Sequence, residues 1–274
     1  MKAARLFVAL CTLGTTWAAG AAPDAWLKSI GPTKTGGHPL PPPFLAEYRF
    51  GWSGIEAARA TARLSVKENI ATVRVNGKTT GAARALWQLD AENTTRFRVP
   101  GLQPLGFTQI EKYRNKTIDT FTKFQADGLW RYRARRPGTA GERWKRIRIE
   151  PIRDMVSAMF FVRSQPLANG DIIRLIAFPG DSPFLVETEI ICRETLRHPV
   201  TKKNVPAIRA TFKISRIHLE KNEPPRLREH GKFRSGTVWI SDDADRIPLR
   251  AEVEVFVGSI FAELIQIQIP AENR

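Results

Sequence analysis

The residues best able to do chemistry stand in one basic hairpin. Trp130-Arg131-Tyr132-Arg133-Ala134-Arg135-Arg136 and Arg143-Trp144-Lys145-Arg146-Ile147-Arg148 flank the turn signal Pro137-Gly138, and residues 131–148 hold eight basic side chains against one acid, Glu142. Guanidinium forks bind phosphate and carboxylate oxygens bidentately, so Arg131, Arg133, Arg146 and Arg148 are the candidate anion ligands. In strand geometry Arg131, Arg133 and Arg135 share one face, opposite Trp130 and Tyr132. The competing reading is a solvated outer face or a protected edge, because edge charges discourage strand-to-strand association.

Catalytic signatures are sparse. The chain has no H-E-x-x-H, no Walker loop, no G-x-G-x-x-G and no G-x-S-x-G, and Gly51-Trp52-Ser53-Gly54 has the wrong spacing for a nucleophile elbow. His38, His198, His218 and His230 are dispersed, without metal-ligand spacing. Asp242, Asp243 and Asp245 lack the glycine and the terminal Glu of a calcium loop, and read as a turn whose carboxylates bond nearby amides. No catalytic residue, metal ligand or cofactor is therefore assigned. Dispersed carboxylates such as Asp242, Asp243 and Glu263 remain as an unrecognised hydrolase reading.

The elements that must position these residues are mainly strands. Ala58, Ala60, Ala62, Leu64 and Val66 alternate with Arg59, Thr61, Arg63 and Ser65. Ala71, Val73 and Val75 follow after the turn Lys67-Glu68-Asn69. The same period of two returns at 208–215, 249–257 and 265–269. One apolar and one polar face per strand predicts antiparallel sheet wetted on one side. Further runs at about 44–53, 87–99, 105–113, 117–125, 129–135, 143–150, 171–178 and 184–193 make ten or more strands. Asp154 is placed to N-cap a helix over 154–164, with Met155, Met159 and Val162 on one face and Val156 and Phe160 beside it. Gly81 to Leu86 is a candidate second helical turn, and 218–235 a long polar connection. An all-β architecture follows: a strongly curved antiparallel sheet or incomplete barrel, with the one apolar helix on its concave face.

The N-terminus reads as a cleavable export signal over residues 1–22. Lys2 and Arg5 precede the apolar stretch Leu6–Leu13, and Ala19 and Ala21 satisfy the small-x-small rule, with cleavage near Ala21 or Ala22. Cys11 follows Leu10 inside the apolar stretch, which argues against lipidation. No stretch approaches the roughly 20 apolar residues of a membrane-spanning helix. Residues 23–43, rich in Pro and Gly, read as a flexible leader, 44–269 as one β-rich domain, and 270–274 as a tail. With Cys11 removed, Cys192 is left alone in the apolar run Ile190-Ile191-Cys192 and reads as a buried thiol. The formal net charge is +16, two of it from Lys2 and Arg5. Outside the cytoplasm such a charge points to lipid headgroups, lipopolysaccharide or acidic polymers rather than nucleic acid.

Two segments carry a family resemblance. Val238-Trp239-Ile240-Ser241-Asp242-Asp243-Ala244-Asp245-Arg246-Ile247-Pro248-Leu249-Arg250, followed by Gly258–Leu264, resembles the closing motif of the bacterial family catalogued as domain of unknown function 3108. Asp154–Arg163, with Pro166-Leu167 and Gly170-Asp171, resembles its central helix and the start of the next strand. The likeness runs from about 44 to 269; the basic hairpin and the 218–235 connection depart from it. The resemblance implies an exported, barrel-like protein of Gram-negative bacteria, similar in architecture to the periplasmic lipoprotein carriers of the Lol pathway, which hold acyl chains in a half-barrel. It implies no activity. Trp239, Ser241, Asp242, Asp243 and Pro248 read as hairpin chemistry: Trp239 ending a strand against the core, 241–245 turning the chain, Pro248 starting the return strand. The resulting expectation is a non-enzymatic periplasmic protein that binds an anionic lipid, lipopolysaccharide or lipoprotein. Met155, Met159 and Phe160 would face the apolar part and the arginines the headgroup. A structural or protein-interaction role is the alternative.

Overall fold

The structure, a computed structural model, describes residues 25–30, 34–137, 144–220, 223–229, 235–255 and 258–270. The predicted export signal and residues 271–274 fall outside them. The chain opens, after a short 3-10 helix at Ala25–Ser29, with a meander of strands: β1 (Phe44–Trp52), β2 (Ile55–Lys67), β3 (Ile70–Thr79), β4 (Leu89–Arg98), β5 (Gln103–Tyr113), β6 (Thr117–Gln125), β7 (Gly128–Arg136) and β8 (Lys145–Ile147). Helix α1 (Gly81–Leu86) connects β3 to β4. Then come β9 (Ile152–Asp154), helix α2 (Met155–Ser164), β10 (Ile172–Phe178), β11 (Phe184–Arg197) and β12 (Asn204–His218). The chain closes with β13 (Arg226–Glu229), β14 (Ser235–Ser241), β15 (Pro248–Glu254) and β16 (Ser259–Gln268). The strands form one sheet in the order β8-β7-β6-β5-β4-β3-β2-β1-β16-β15-β14-β12-β11-β10-β9, with β13 beside β12.

Every pairing is antiparallel except the short β9–β10 contact, so the predicted curved, unclosed sheet is what forms. The predicted boundaries hold closely, apart from β8, which spans only part of 143–150, and the 218–235 connection, which contains β13.

Alternation explains the core. The register sets Leu64 beside Val73, Val73 beside Thr95 and Thr95 beside Phe107, one row across the concave face. Phe160 and Phe161 of α2 pack on that face with Leu64, Ala71, Val73 and Phe97, and with Leu175 and Ala177 from β10. At β10 the alternation ends: Leu175, Ile176, Ala177 and Phe178 are all buried. Leu175 and Ala177 face α2, whereas Ile176 and Phe178 pack with Phe107, Leu129, Ile149 and Ile152. Phe107 belongs to the concave row. The concave side of the β5–β8 end therefore laps over the convex side of the β9–β12 end, and the sheet rolls like a scroll. Its end strands, β8 and β9, are separated in the chain only by residues 148–151.

The described part of the predicted flexible leader is held against the body, a correction to the sequence reading. Trp26, Leu27 and Ile30 pack against the overlap cluster and Leu40 against the α2 cluster. Gly36 N donates to Ser164 Oγ at 3.1 Å and His38 N to the Ser164 carbonyl at 3.1 Å. Apolar side chains spaced along a Pro- and Gly-rich segment suffice to dock it, without any periodicity to signal it.

Candidate functional site

The basic hairpin does not make one cluster. Register places Arg131 beside Thr122, Arg133 beside Thr120 and Arg135 beside Ile118, all on the concave face of β7. There the turn between β10 and β11 meets them. Arg131 Nη1 donates to the Asp181 carbonyl at 3.2 Å and to Asp181 Oδ1 at 3.4 Å, and Arg133 Nη1 reaches the same carboxylate at 3.4 Å. Arg131 is buried and Arg135 exposed. Arg131 is thus a clasp across the scroll's overlap rather than an open headgroup ligand. Arg146 pairs with Trp130 on the convex face, donates through Nε to the Asp127 carbonyl at 2.7 Å, and stands 5.8 Å over the Trp130 ring. Arg148 is exposed beyond the end of β8. The predicted grouping of Arg131, Arg133, Arg146 and Arg148 is corrected accordingly: strand alternation and the end of β8 divide them.

Helix α2 forms where the sequence places it. Asp154 Oδ1 accepts from Val156 N at 2.9 Å and Ser157 N at 3.1 Å, satisfying two otherwise orphaned amides. Ser157 Oγ adds 2.5 Å to Oδ2, and Thr95 Oγ1 3.3 Å to Oδ1. Burial still pushes the Asp154 carboxyl above the usual carboxylate range, against these hydrogen bonds. Phe160, Phe161, Ala158 and Ser157 are buried, while Met155 and Met159 are 43% and 55% exposed. The predicted common surface of Met155, Met159 and Phe160 is therefore split. At 100° per residue the two methionines fall on one side and Phe160 in the packed interior, a turn of the helix that composition alone does not resolve. Val162, next to the methionines on the wheel, packs against the cluster of Leu167, Ile190, Ile208 and Ala210, which half-buried Val238 also covers. Further along the concave face the lining turns small, with Ala58, Ala60 and Ala62 on β2 and Gly77 on β3.

The W-x-S-D-D segment is a staple. Asp243 Oδ1 accepts from Ser241 Oγ at 2.8 Å, Asp245 N at 3.0 Å and Arg246 N at 2.9 Å, and Ile247 N donates to Ser241 Oγ at 2.9 Å. Asp242 pairs with Arg193 at 2.9 Å. Pro248 begins β15, as expected. Trp239 is corrected: it stands on the outer face, two residues before the end of β14, with Nε1 donating to Glu194 at 2.6 Å and Arg250 5.8 Å over its ring. The alternation that buries Ile240 forces its neighbour outward.

Sequence reasoning missed Arg246. Its Nη1 donates to the carbonyls of Arg163 and Gln165, both at 2.6 Å, and Nη2 to Pro166 at 3.3 Å. The first two are orphaned carbonyls at the end of α2 and the third follows its cap, so the turn after β14 caps the helix. Buried Arg163 donates to the Asp245 carbonyl at 3.0 Å; burial first, and the Arg246 guanidinium second, push its pKa down to about 10. The spacing of the motif gives no local hint of a partner some eighty residues away.

The carboxylates of the hydrolase reading do not converge. Glu263 pairs with Arg49 across strands (Nε to Oε2, 2.7 Å), whereas Asp242 and Asp243 serve the turn. Three histidines have structural partners: His38 Nε2 stands 2.9 Å from the distant Ala244 carbonyl, His198 Nδ1 accepts from Val200 N, and His218 meets Glu220 at 2.6 Å. His230 lies outside the described residues. Cys192 is half-buried at the β11 bulge, 3.7 Å from Glu194, not a buried core thiol as expected. The bulge turns it out of the Ile190 row.

No helix among the described residues is long and apolar enough to cross a membrane. Comparison with curated proteins gives no match. Among solved structures, a β-barrel-like protein of domain of unknown function DUF1849 from Brucella abortus is similar at 10% identity and a TM-score of 0.57, over 85% of this chain and 99% of that one. A proposed exported protein with a YmcC-like fold from Bacteroides fragilis (11% identity, TM-score 0.38, 85% of this chain and 99% of that one) and a proposed lipoprotein from Parabacteroides distasonis (8%, 0.32, 86% and 99%) align more loosely. The first likeness shows a shared fold and nothing further. The profile described as protein of unknown function (DUF3108) matches residues 47–265, the whole span from β1 into β16, and the chain belongs to that family.

Proposed function

We propose that the protein is exported to the periplasm and acts without catalysis, binding the apolar part of an anionic envelope lipid or lipoprotein on the concave side of its sheet. The observation that carries this reading is the division of α2: one side is fully packed, while Met155 and Met159 remain 43% and 55% exposed. Exposed methionines on a helix held against a concave sheet supply an adaptable apolar surface. Arg133, partly exposed on the concave face, and Arg135 beyond it supply charge for a headgroup. Export is supported by the Lys2/Arg5, apolar and small-residue pattern of residues 1–22. The absence of catalysis is supported by the separate employment of Asp242, Asp243 and Glu263 in a turn and in ion pairs.

Mass spectrometry of lipids that co-purify with the protein from native envelopes tests the reading, together with transfer of fluorescent phosphatidylglycerol between vesicles. Both signals are expected, and Met159→Glu should abolish transfer while leaving the fold intact. Empty protein with no transfer would overturn the proposal and favour a structural role. Turnover of an envelope substrate that disappears with Asp243→Asn would establish the hydrolase instead.

A further inference from the structure

Large exposed apolar side chains are concentrated at one rim of the scroll. The strand directions place the β1–β2 turn, α1 and the β5–β6 turn at the same end of the sheet, because Trp52 pairs with Ile55, Thr79 with Ala58, and Leu89 with Tyr113. That end presents Ile55 at 67%, Leu86 at 88% and Trp87 at 57% exposure, with Trp52 beside Ile55. At the opposite end of the sheet the described residues expose Val66 at 41%, on the β2–β3 turn, and Ile172 at 49%, at the start of β10. A lone exposed leucine needs no explanation, but four large apolar residues on neighbouring turns of one rim do.

Cations stand among these side chains, while the carboxylates at this end, Glu56, Asp90 and Glu111, are taken up by Arg59, Arg84 and the Tyr113 hydroxyl. Trp87 and Tyr113 face each other with ring centroids 6.2 Å apart, and Lys116 Nζ stands 4.9 Å over the Tyr113 ring. Arg114 reaches the Ala85 carbonyl at 2.8 Å, which holds the β5–β6 turn against α1. Leu86, Trp87, Tyr113, Arg114 and Lys116 border an open hollow of about 240 Å³. The chain as a whole carries a formal charge of +16. Trp and Tyr rings with their polar edges at headgroup depth, an aliphatic side chain pointing outward and Lys and Arg among them are the composition that settles proteins on anionic bilayers.

We propose that this rim, built from the β1–β2 turn, α1 and the β5–β6 turn, docks the protein on the surface of a bilayer containing anionic phospholipid. Leu86 and Trp87 enter the interface, and Arg114 and Lys116 meet the phosphates. The attraction combines apolar burial with charge, so it weakens with salt and with loss of anionic lipid. This surface is separate from the concave lining and does not depend on what that lining carries.

Flotation of the protein with phosphatidylethanolamine–phosphatidylglycerol vesicles tests it. Binding is expected, with a drop of about tenfold or more in partitioning on pure phosphatidylcholine or at high salt. Leu86→Ser with Trp87→Ser should lower partitioning by about tenfold at unchanged net charge, and Arg114→Gln with Lys116→Gln should do so through charge. Val66→Ser at the other rim should leave binding unchanged, and circular dichroism should report a native fold for each variant. Equal flotation of the wild type and the L86S/W87S protein would overturn the proposal. So would a concentration-dependent dimer that this variant dissolves without any vesicle binding, since the rim would then join two copies. Lipid transfer is a separate readout: normal docking with no transfer removes the cargo reading and leaves the docking one.

Discussion

Asp154 shows how much one side chain can be asked to do. It caps α2, accepts from Ser157 and Thr95, and is buried almost completely. Burial raises its pKa, so the native state holds a proton that the unfolded chain releases more readily. The sign follows from linkage: the stability this group contributes is fully present below the ordinary carboxylate pKa and is lost as pH rises through the raised one. Asp154→Asn keeps the cap and removes the titration. Urea unfolding of the two proteins from pH 4 to 8 should show the wild type losing stability relative to the Asn variant as pH rises. A constant difference would mean that the carboxylate stays ionised in the fold. Asp154→Ala should destabilise at every pH, by about 2 kcal/mol, through loss of the cap alone.

Helix α2 depends on a second element for its other end. Arg246, from the turn between β14 and β15, bonds the carbonyls of Arg163 and the C-cap Gln165, and that of Pro166 just beyond. Hydrogen bonds from a charged donor contribute about 1.5–3 kcal/mol each, and a truncated clamp leaves the buried carbonyls unmet. Arg246→Ala should therefore destabilise by about 3 kcal/mol in urea unfolding, and Arg246→Lys should recover little, because an ammonium cannot reproduce the planar fork. Element-scale features divide sharply by legibility. Strands such as β2 and β3 were readable because only one of their faces is buried, and α2 because Asp154 precedes an apolar run. The lap of β5–β8 over β10 left only the continuous run Leu175–Phe178, which fits a buried strand without naming what covers its second face. The concave and convex division of Arg131 from Arg146 depended on a register that no local pattern encodes. Of the candidate site, the identity of the helix was legible and the direction of its methionines was not.

At the scale of the molecule, the scroll is held by contacts between parts distant in the chain. The segment before β1 belongs to that set: Trp26 donates from Nε1 to the Pro225 carbonyl at 3.3 Å, and Leu27, Ile30 and Leu40 cover two different clusters. Deletion of residues 25–40 should lower stability by on the order of 3 kcal/mol, judged from the half-buried apolar side chains it removes. Thermal unfolding of the shortened protein measures this, and an unchanged midpoint would show the segment to be passive. The dispersed surface charges argue less: exposed ion pairs such as Lys112–Glu92 and Arg226–Glu223 contribute little.

The pairing of β1 with β16 has a consequence for how the chain comes to be folded. Arg49 and Glu263, joined across these strands, are 214 residues apart. The meander from β1 to β8 can zip from local hairpins as soon as it is available. Its first strand, however, waits with an open edge until the last strand arrives. A chain delivered from its N-terminus thus presents a sticky template through almost the whole of its delivery, and the seam in the middle of the finished sheet is the last to close. Such long-range closure makes for slow acquisition of the native state and exposure to chaperones or to misassembly in the interval.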